Sequence, residues 1–248
     1  MENRPIITIS ANSPAPGADA EVYERHLKWR LEVYGPLTLK IPEVLGHDQY
    51  KIVKENREYP FIVNLVHYKN VKDWSAFAPS SIGTGITKDL RSWEERGIVE
   101  FIWHPAYALL RSFRSNPSSS SSNETTMIEN APIMYLEAFR LSQEEQEKYH
   151  KWFTDYGCNL FMPLIMKLPG LLGYDWYEDT GLRRRQELRE LEYPRYLSII
   201  YFENLKAYED FIKSPELAAL QKSMRNVFPR GLNLKWHVQY QLEKSWKK

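Results

Sequence analysis

Pro36–Tyr50 reads PLTLKIPEVLGHDQY and Pro163–Tyr177 reads PLIMKLPGLLGYDWY, with eight of fifteen positions identical, where chance gives roughly one. A match of that density means one structural unit used twice, so the repeat has to be placed before any fold is assigned. It extends outward on both sides. Glu58-Tyr59-Pro60 recurs as Glu192-Tyr193-Pro194, and Asn70, Lys72, Phe77 and Ser80 recur as Asn204, Lys206, Phe211 and Ser214. Trp103-His104, Tyr107, Leu109 and Ser112 recur as Trp236-His237, Tyr240, Leu242 and Ser245. The offset of 127 in the first block becomes 134 in the second, so the second copy carries an insertion, the charged run Glu178 to Glu192.

A chain of 248 residues is long enough for two units of about 115 residues, each with its own core. Aromatic residues make up 14% of it, which favours bulky interiors and aromatic-lined pockets. The net charge of +1 argues against nucleic acid as a partner, because a phosphate-binding face needs a clustered basic excess. The basic triplet Arg183-Arg184-Arg185 is surrounded by Glu178, Asp179, Glu187, Glu190 and Glu192, the pattern of a solvated face.

The N-terminus MENRPIITIS lacks a basic region followed by an apolar core, and no window is apolar enough to span a membrane. The single cysteine rules out an internal disulfide and agrees with a reducing compartment, so a soluble, cytoplasmic protein is expected. The sequon at Asn123 is then idle.

Strand and helix periods alternate in the same order in both halves. In the second, Ile133–Phe139 reads as a strand, and Ser142 with Glu145 forms a capping box opening a helix that runs to about Phe161. Leu171–Tyr177 and Arg195–Phe202 are β-like. A second helical region starts near Asn204 and breaks at Ser214, which is followed by proline at the first helical position. The alternating Leu232–Leu242 closes the unit as a single strand. The order βαββαβ is ferredoxin-like, with helices covering one sheet face. The fold class expected is therefore α+β: two such repeats, residues 1–114 and 132–248, forming a single-chain, pseudo-dimeric α/β barrel. Residues 115–131 serve as a Ser-rich flexible linker.

The stretch YHKWFTDYGCNLFMPLIMKLPGLLGYDWY, with the later FENLKAYEDFIKSPELAAL, resembles the EthD-like branch of the dimeric α/β-barrel superfamily. That branch typically carries His-x-Pro-Leu at the end of the first helix, then Lys-Leu-Pro-Gly and a tyrosine-containing strand, and later Ser-Pro-Glu. The superfamily spans cofactor-free monooxygenases, polyketide cyclases, decarboxylases, dehydratases and haem degraders. Here the histidine before x-Pro-Leu is replaced by Tyr34 in the first copy and Phe161 in the second. Tyrosine can donate a proton and phenylalanine cannot, which makes the second copy the scaffolding half. Haem degraders of the superfamily carry a tryptophan on the second helical region, a place Trp74 fits, and an iron-binding histidine further along it. No histidine lies between His67 and His104 or between His150 and His237, so no haem or other cofactor is expected. The six histidines also lack metal-ligand spacing, so no metal is expected either.

Acid–base chemistry by histidine and tyrosine remains, and positions that differ between the copies guide the choice. Asp48/Asp175, Tyr50/Tyr177 and His104/His237 are identical, as shared fold constraints require. His47 aligns with Tyr174, Gln49 with Trp176, Asn64 with Ser198 and His67 with Tyr201. His47 and Gln49 share one strand face, and His67 shares another with Leu65 and Val63. The two histidines are cross-strand neighbours if the register allows, or else are polar positions of an ordinary sheet. His47, His67 and Tyr34 are the candidate catalytic residues. Gln49, Asn64, Trp74, His104, Trp176, Tyr177 and His237 are the candidate substrate contacts, with a buried polar contact as the alternative for the two histidines. Cys158 is assigned to core packing, and Gly83-Thr84-Gly85 to a break in the second helical region.

The resemblance implies a cofactor-independent lyase or cyclase acting on a small aromatic or polyketide-like molecule in an apolar pocket between sheet and helices. A cofactor-free monooxygenase or a non-catalytic binding protein is the alternative. A homodimer through the barrel edges is left open.

Overall fold

The computed structural model describes residues 3–54, 58–115, 131–183, 193–227 and 233–248, without the side chains of 233–236. Most of the expected linker, Arg184, Arg185 and the Asn123 sequon lie outside the described residues, as does the side chain of Trp236. The chain divides into two compact units. Unit 1 comprises Met1–Leu109, Asp179–Tyr193 and Tyr240–Lys248, and unit 2 comprises Leu110–Glu178 and Pro194–Gln239. These are not the contiguous halves expected, because each unit includes the end of a strand that starts in the other.

In unit 1, β1 (Ile6–Pro14) pairs antiparallel with β3 (Ile62–Tyr68), which pairs antiparallel with β2 (Val44–Ile52). The far edge of β2 takes residues Tyr240 onward of β9 (Asn233–Lys247). The single closing strand expected near Trp103 is instead two, β4 (Val99–Trp103) and β5 (Ala106–Arg114), both antiparallel to β1. They part at Pro105, which has no N–H to continue the ladder, although its carbonyl accepts from the Ile9 amide at 3.1 Å.

Helices cover one face of this sheet. Asp19 caps α1 (Ala20–Trp29) through the Val22 amide at 3.0 Å. The helix then widens into a π-helical segment, Arg30–Tyr34, before α2 (Gly35–Leu39). Asn70 caps α3 (Val71–Phe77) and Ser80 caps α4 (Ser81–Glu95). The glycines expected to break this region therefore lie in the first turns of α4, because Ser80 stops one helix and starts the next. Ile6, Tyr34, Val66, Tyr68, Trp74, Phe77 and Ile86 form the core between sheet and helices. Full burial of one such side chain stabilises the fold by about 2 kcal/mol.

Unit 2 follows the same order. β6 (Ile133–Arg140) pairs with β8 (Tyr196–Phe202), and β8 with β7 (Leu171–Asp179), all antiparallel. The expected capping box is present, with the Ser142 amide donating to Glu145 at 2.8 Å and the Glu145 amide to Ser142 at 3.3 Å. It opens α5 (Gln143–Trp152), which passes into a π-helical segment, Phe153–Phe161, and then α6 (Met162–Ile165). Cys158 in that segment is half-buried rather than in the core. Asn204 caps α7 (Leu205–Ile212), and the Ser214 hydroxyl accepts from the Leu217 amide at 3.1 Å at the start of α8 (Pro215–Val227).

Candidate functional site

Cross-strand partners share a sheet face, and the register of unit 1 places Thr8, Ser10 and Asn12 beside Val66, Asn64 and Ile62, with His47 and Gln49 one strand further on. This is the face under the helices, since the His47 ring meets the edge of Tyr34 at 4.8 Å between centroids. Apart from Val66 and Ile62 it is polar, and all of it is buried. Asn64 donates through Nδ2 to the Ser10 carbonyl at 3.4 Å, which turns its Oδ1 toward His47 Nε2 at 3.0 Å. His47 therefore carries its proton on Nε2 and leaves Nδ1 as a lone pair. Burial lowers its pKa from the ordinary 6.5 to about 4, with the nearby Arg30 charge acting in the same direction against the bond to Asn64.

Opposite the sheet, Tyr23, His26, Arg30 and Tyr34 line one side of α1 and its π-helical extension. Arg30 is fully buried. Its guanidinium carbon lies 5.0 Å from the Tyr34 ring centroid, and Nη1 is 3.5 Å from His26 Nε2. Nε and Nη2 have no hydrogen-bond partner among the described residues. Burial presses the Arg30 pKa down, opposed by Tyr34, Tyr23 and Glu243. Burial, with the Arg30 charge, takes His26 to about 2. Trp29 stacks on Tyr34 at 5.8 Å.

Tyr34 also lines a cavity of about 660 Å³, walled by Phe77, Ile86, Lys88, Arg91 and His104 among others. Of the expected site residues, only Tyr34 and His104 reach this wall. His47 and Asn64 lie behind Tyr34, Gln49 donates to Glu243 at 2.8 Å, and Trp74 is fixed in the core by its N–H to Thr8 Oγ1 at 2.8 Å.

His67 does not neighbour His47. The register sets His47 opposite Val66, so strand alternation turns His67 to the other face, where Nε2 lies 2.9 Å from Asp48 Oδ2. Burial alone raises the Asp48 pKa, but the bonds to His67 and Ser245 with the Lys247 charge outweigh it and hold the carboxyl below its ordinary value.

Unit 2 has a cavity of about 400 Å³ between its sheet and helices. Trp176 lines it, whereas Tyr177, the next residue on the strand, points to the opposite face and donates to Asp175 at 3.4 Å. His237 is exposed, against the buried contact considered for it. The carboxyl of Glu137 lines the same cavity, and its pKa is raised by burial against bonds from Ser198 and Tyr135 and the charge of His237.

Sequence reasoning missed Arg30, His26 and Glu137. The signals were there: His26, Arg30 and Tyr34 recur every fourth residue on the face that also carries Tyr23 and Leu27, and Glu137 sits among Tyr135 and Phe139 on an otherwise apolar strand.

No family model and no curated protein matches the sequence. Solved structures match its fold along nearly the whole chain. A candidate monooxygenase of Fusobacterium nucleatum subsp. nucleatum is similar over 100% of this chain and 96% of its own, with a TM-score of 0.66 and 10% identity. An anthrone oxidase-like protein matches over 99% and 94%, at 0.65 and 10%. A chlorite dismutase variant from Candidatus Nitrospira defluvii matches over 98% and 93%, at 0.55 and 13%. The chain thus shares the α+β, ferredoxin-like fold of these proteins, and at these identities the likeness is one of fold. Neither α4 nor α8 carries a histidine or cysteine. Among the described residues no cluster of three His, Cys, Asp or Glu side chains suits a metal ion.

Proposed function

We propose that this protein is a cofactor-independent enzyme, a lyase or cyclase in type, that moves protons on a small aromatic or polyketide-like molecule in the unit 1 cavity, with Tyr34 as the proton carrier. The observation behind this reading is the place of Tyr34 on the cavity wall, with the Arg30 guanidinium over its ring and His47 against its edge. We also take the chain to be an EthD-like unit used twice.

The buried guanidinium above the ring acts against the cost that burial sets on a Tyr34 phenolate. The phenolate takes a proton from a carbon next to a substrate carbonyl, and the electron pair moves onto that oxygen as an enolate. Lys88, Arg91 and His104 stand on the same wall to meet the developing charge. Return of the proton from Tyr34 to a β-hydroxyl releases water and leaves a double bond, a dehydration. His47, Asn64 and Arg30 are positioning residues for Tyr34.

The fold shared with a candidate monooxygenase and an anthrone oxidase-like protein favours a second reading of the same site. There the carbanion adds dioxygen, and the hydroperoxide loses water to give a ketone.

Solvent deuterium exchange at acidic C–H positions of small aryl ketones, followed by NMR without oxygen, tests the proton step that both readings share. Exchange above buffer that falls at least about 100-fold in Tyr34→Phe is the expected result. Absent exchange, or exchange indifferent to Tyr34→Phe, would sink the proposal. Ketone formation only on admitting air would select the monooxygenase.

A further inference from the structure

Unit 2 presents a different interior on the same framework. Counted from the helix caps Asp19 and Ser142, His26 and Arg30 of unit 1 correspond to Tyr149 and Phe153, and along the strand His47 and Gln49 correspond to Tyr174 and Trp176; these four residues of unit 2 line the 400 Å³ cavity with Phe139 and Trp152. Trp176 meets Phe153 at 4.7 Å and Tyr149 at 5.3 Å, in stacked geometry. A wall of this kind suits a flat ring, and the cavity is within the size range of small-molecule sites.

Gln221 and Arg225 bring polar groups to the wall from α8, and on the sheet side the register lines up the carboxyl of Glu137 with the indole of Trp176. Glu137 is the partner of Ser198, and Ser198 is the partner of Trp176, so the three sit in a row across adjacent strands on one face. Ser198 donates to Glu137 at 3.1 Å. Trp176 is buried, and its Nε1 has no hydrogen-bond partner among the described residues. A buried indole N–H ordinarily finds an acceptor, and leaving it without one is costly. Glu137 is half-buried by its own surface and lines the cavity, so its carboxyl is enclosed by protein yet reachable by a bound molecule. The raised proton affinity of Glu137 disfavours a second negative charge beside it.

We propose that the unit 2 cavity is a binding site, separate from the unit 1 site, for a planar aromatic molecule with a neutral oxygen, a phenol or aryl ketone, whose oxygen lies between Trp176 Nε1 and Glu137. The indole N–H donates to that oxygen. A phenol gives its own hydrogen to the carboxylate, and a ketone accepts from the protonated carboxyl. An aryl carboxylate seated there would face Glu137, and Arg225 elsewhere on the lining would draw it away from Trp176.

Equilibrium dialysis of the full chain with 2-naphthol, naphthalene and 2-naphthoate tests this. The expected result is 2-naphthol binding about tenfold or more tightly than naphthalene, and more tightly than 2-naphthoate. Trp176→Phe keeps the aromatic body and removes the N–H, so it should weaken 2-naphthol about tenfold and leave naphthalene unchanged. Glu137→Leu should act similarly, and the loss caused by Trp176→Phe should be the same in a Tyr34→Phe background, which separates this site from the proposed catalytic one. Equal binding of naphthol and naphthalene, preference for naphthoate, no binding, or indifference to Trp176→Phe in a variant with an unaltered circular dichroism spectrum would each overturn the proposal.

Discussion

Ser245 Oγ donates a hydrogen bond to Asp48 Oδ1 at 2.5 Å, across 197 residues of chain. The other oxygen of Asp48 takes His67, so the carboxyl joins two strands to its own. Asp48→Asn should destabilise the protein by about 2 kcal/mol in urea unfolding, because a charge-assisted bond is lost inside the sheet. The native pKa of Asp48 is depressed, so its contribution is complete above the unfolded value and fades as pH falls through the native one. The Asp48→Asn variant should therefore lose the most acidic part of the stability profile.

His47 gives a pH dependence in a higher window. Its native value of about 4 lies below the ordinary 6.5, so between the two the unfolded chain binds more protons, and stability falls as pH falls. Its share of the loss is on the order of 3 kcal/mol. His26, held at about 2, adds loss in the same direction. Thermal melts from pH 7 to pH 4 should show a steep decline, and His26→Phe, which suits the ring cluster of Tyr23, Trp29 and Trp93, should flatten it.

Arg30→Met should leave stability unchanged or raise it by about 1 kcal/mol, since a buried cation with no salt-bridged carboxylate among the described residues costs more than it contributes. Deuterium exchange on aryl ketones should fall about tenfold or more in the same variant, because Tyr34 loses the charge over its ring. A large loss of stability without loss of exchange would contradict both statements.

Gly170→Ala should cost about 2 kcal/mol or more, since the backbone there has φ of +75° and a new Cβ would collide with that of Ala207. Gly35→Ala would drive its methyl to 2.5 Å from the Trp246 ring, and a change in tryptophan fluorescence should accompany its destabilisation.

The element order was readable because it rests on local signals: caps at Ser142, Asn204 and Ser214, the apolar and aromatic runs of β6 and β8, and the alternation of Leu232–Leu242. The break at Pro105 was readable in principle, since proline cannot continue a ladder, yet the alternation across it masked the interruption. The separation of His47 from His67 was not readable. It depends on which residue of β2 faces Val66, and a one-residue change of register would have put both on one face. Tyr34 was singled out because a polar residue stands where the EthD-like pattern that the sequence resembles has a histidine. Arg30 was passed over because a buried arginine is rare enough to be read as surface. Glu137 escaped because comparing the copies drew attention to histidines, while its own counterpart is an ordinary serine, Ser10.

The last residues of β9 have a consequence for how the protein is made. A ribosome releases Val44–Ile52 long before it has read the codons for Tyr240–Lys247, the stretch that pairs with them. Until then one edge of β2 has unsatisfied backbone groups, a template for joining other nascent chains. Folding of unit 1 therefore waits in its final step for Tyr240–Lys247 to be made, and chaperone demand should rise when elongation between Ile52 and Tyr240 is slowed.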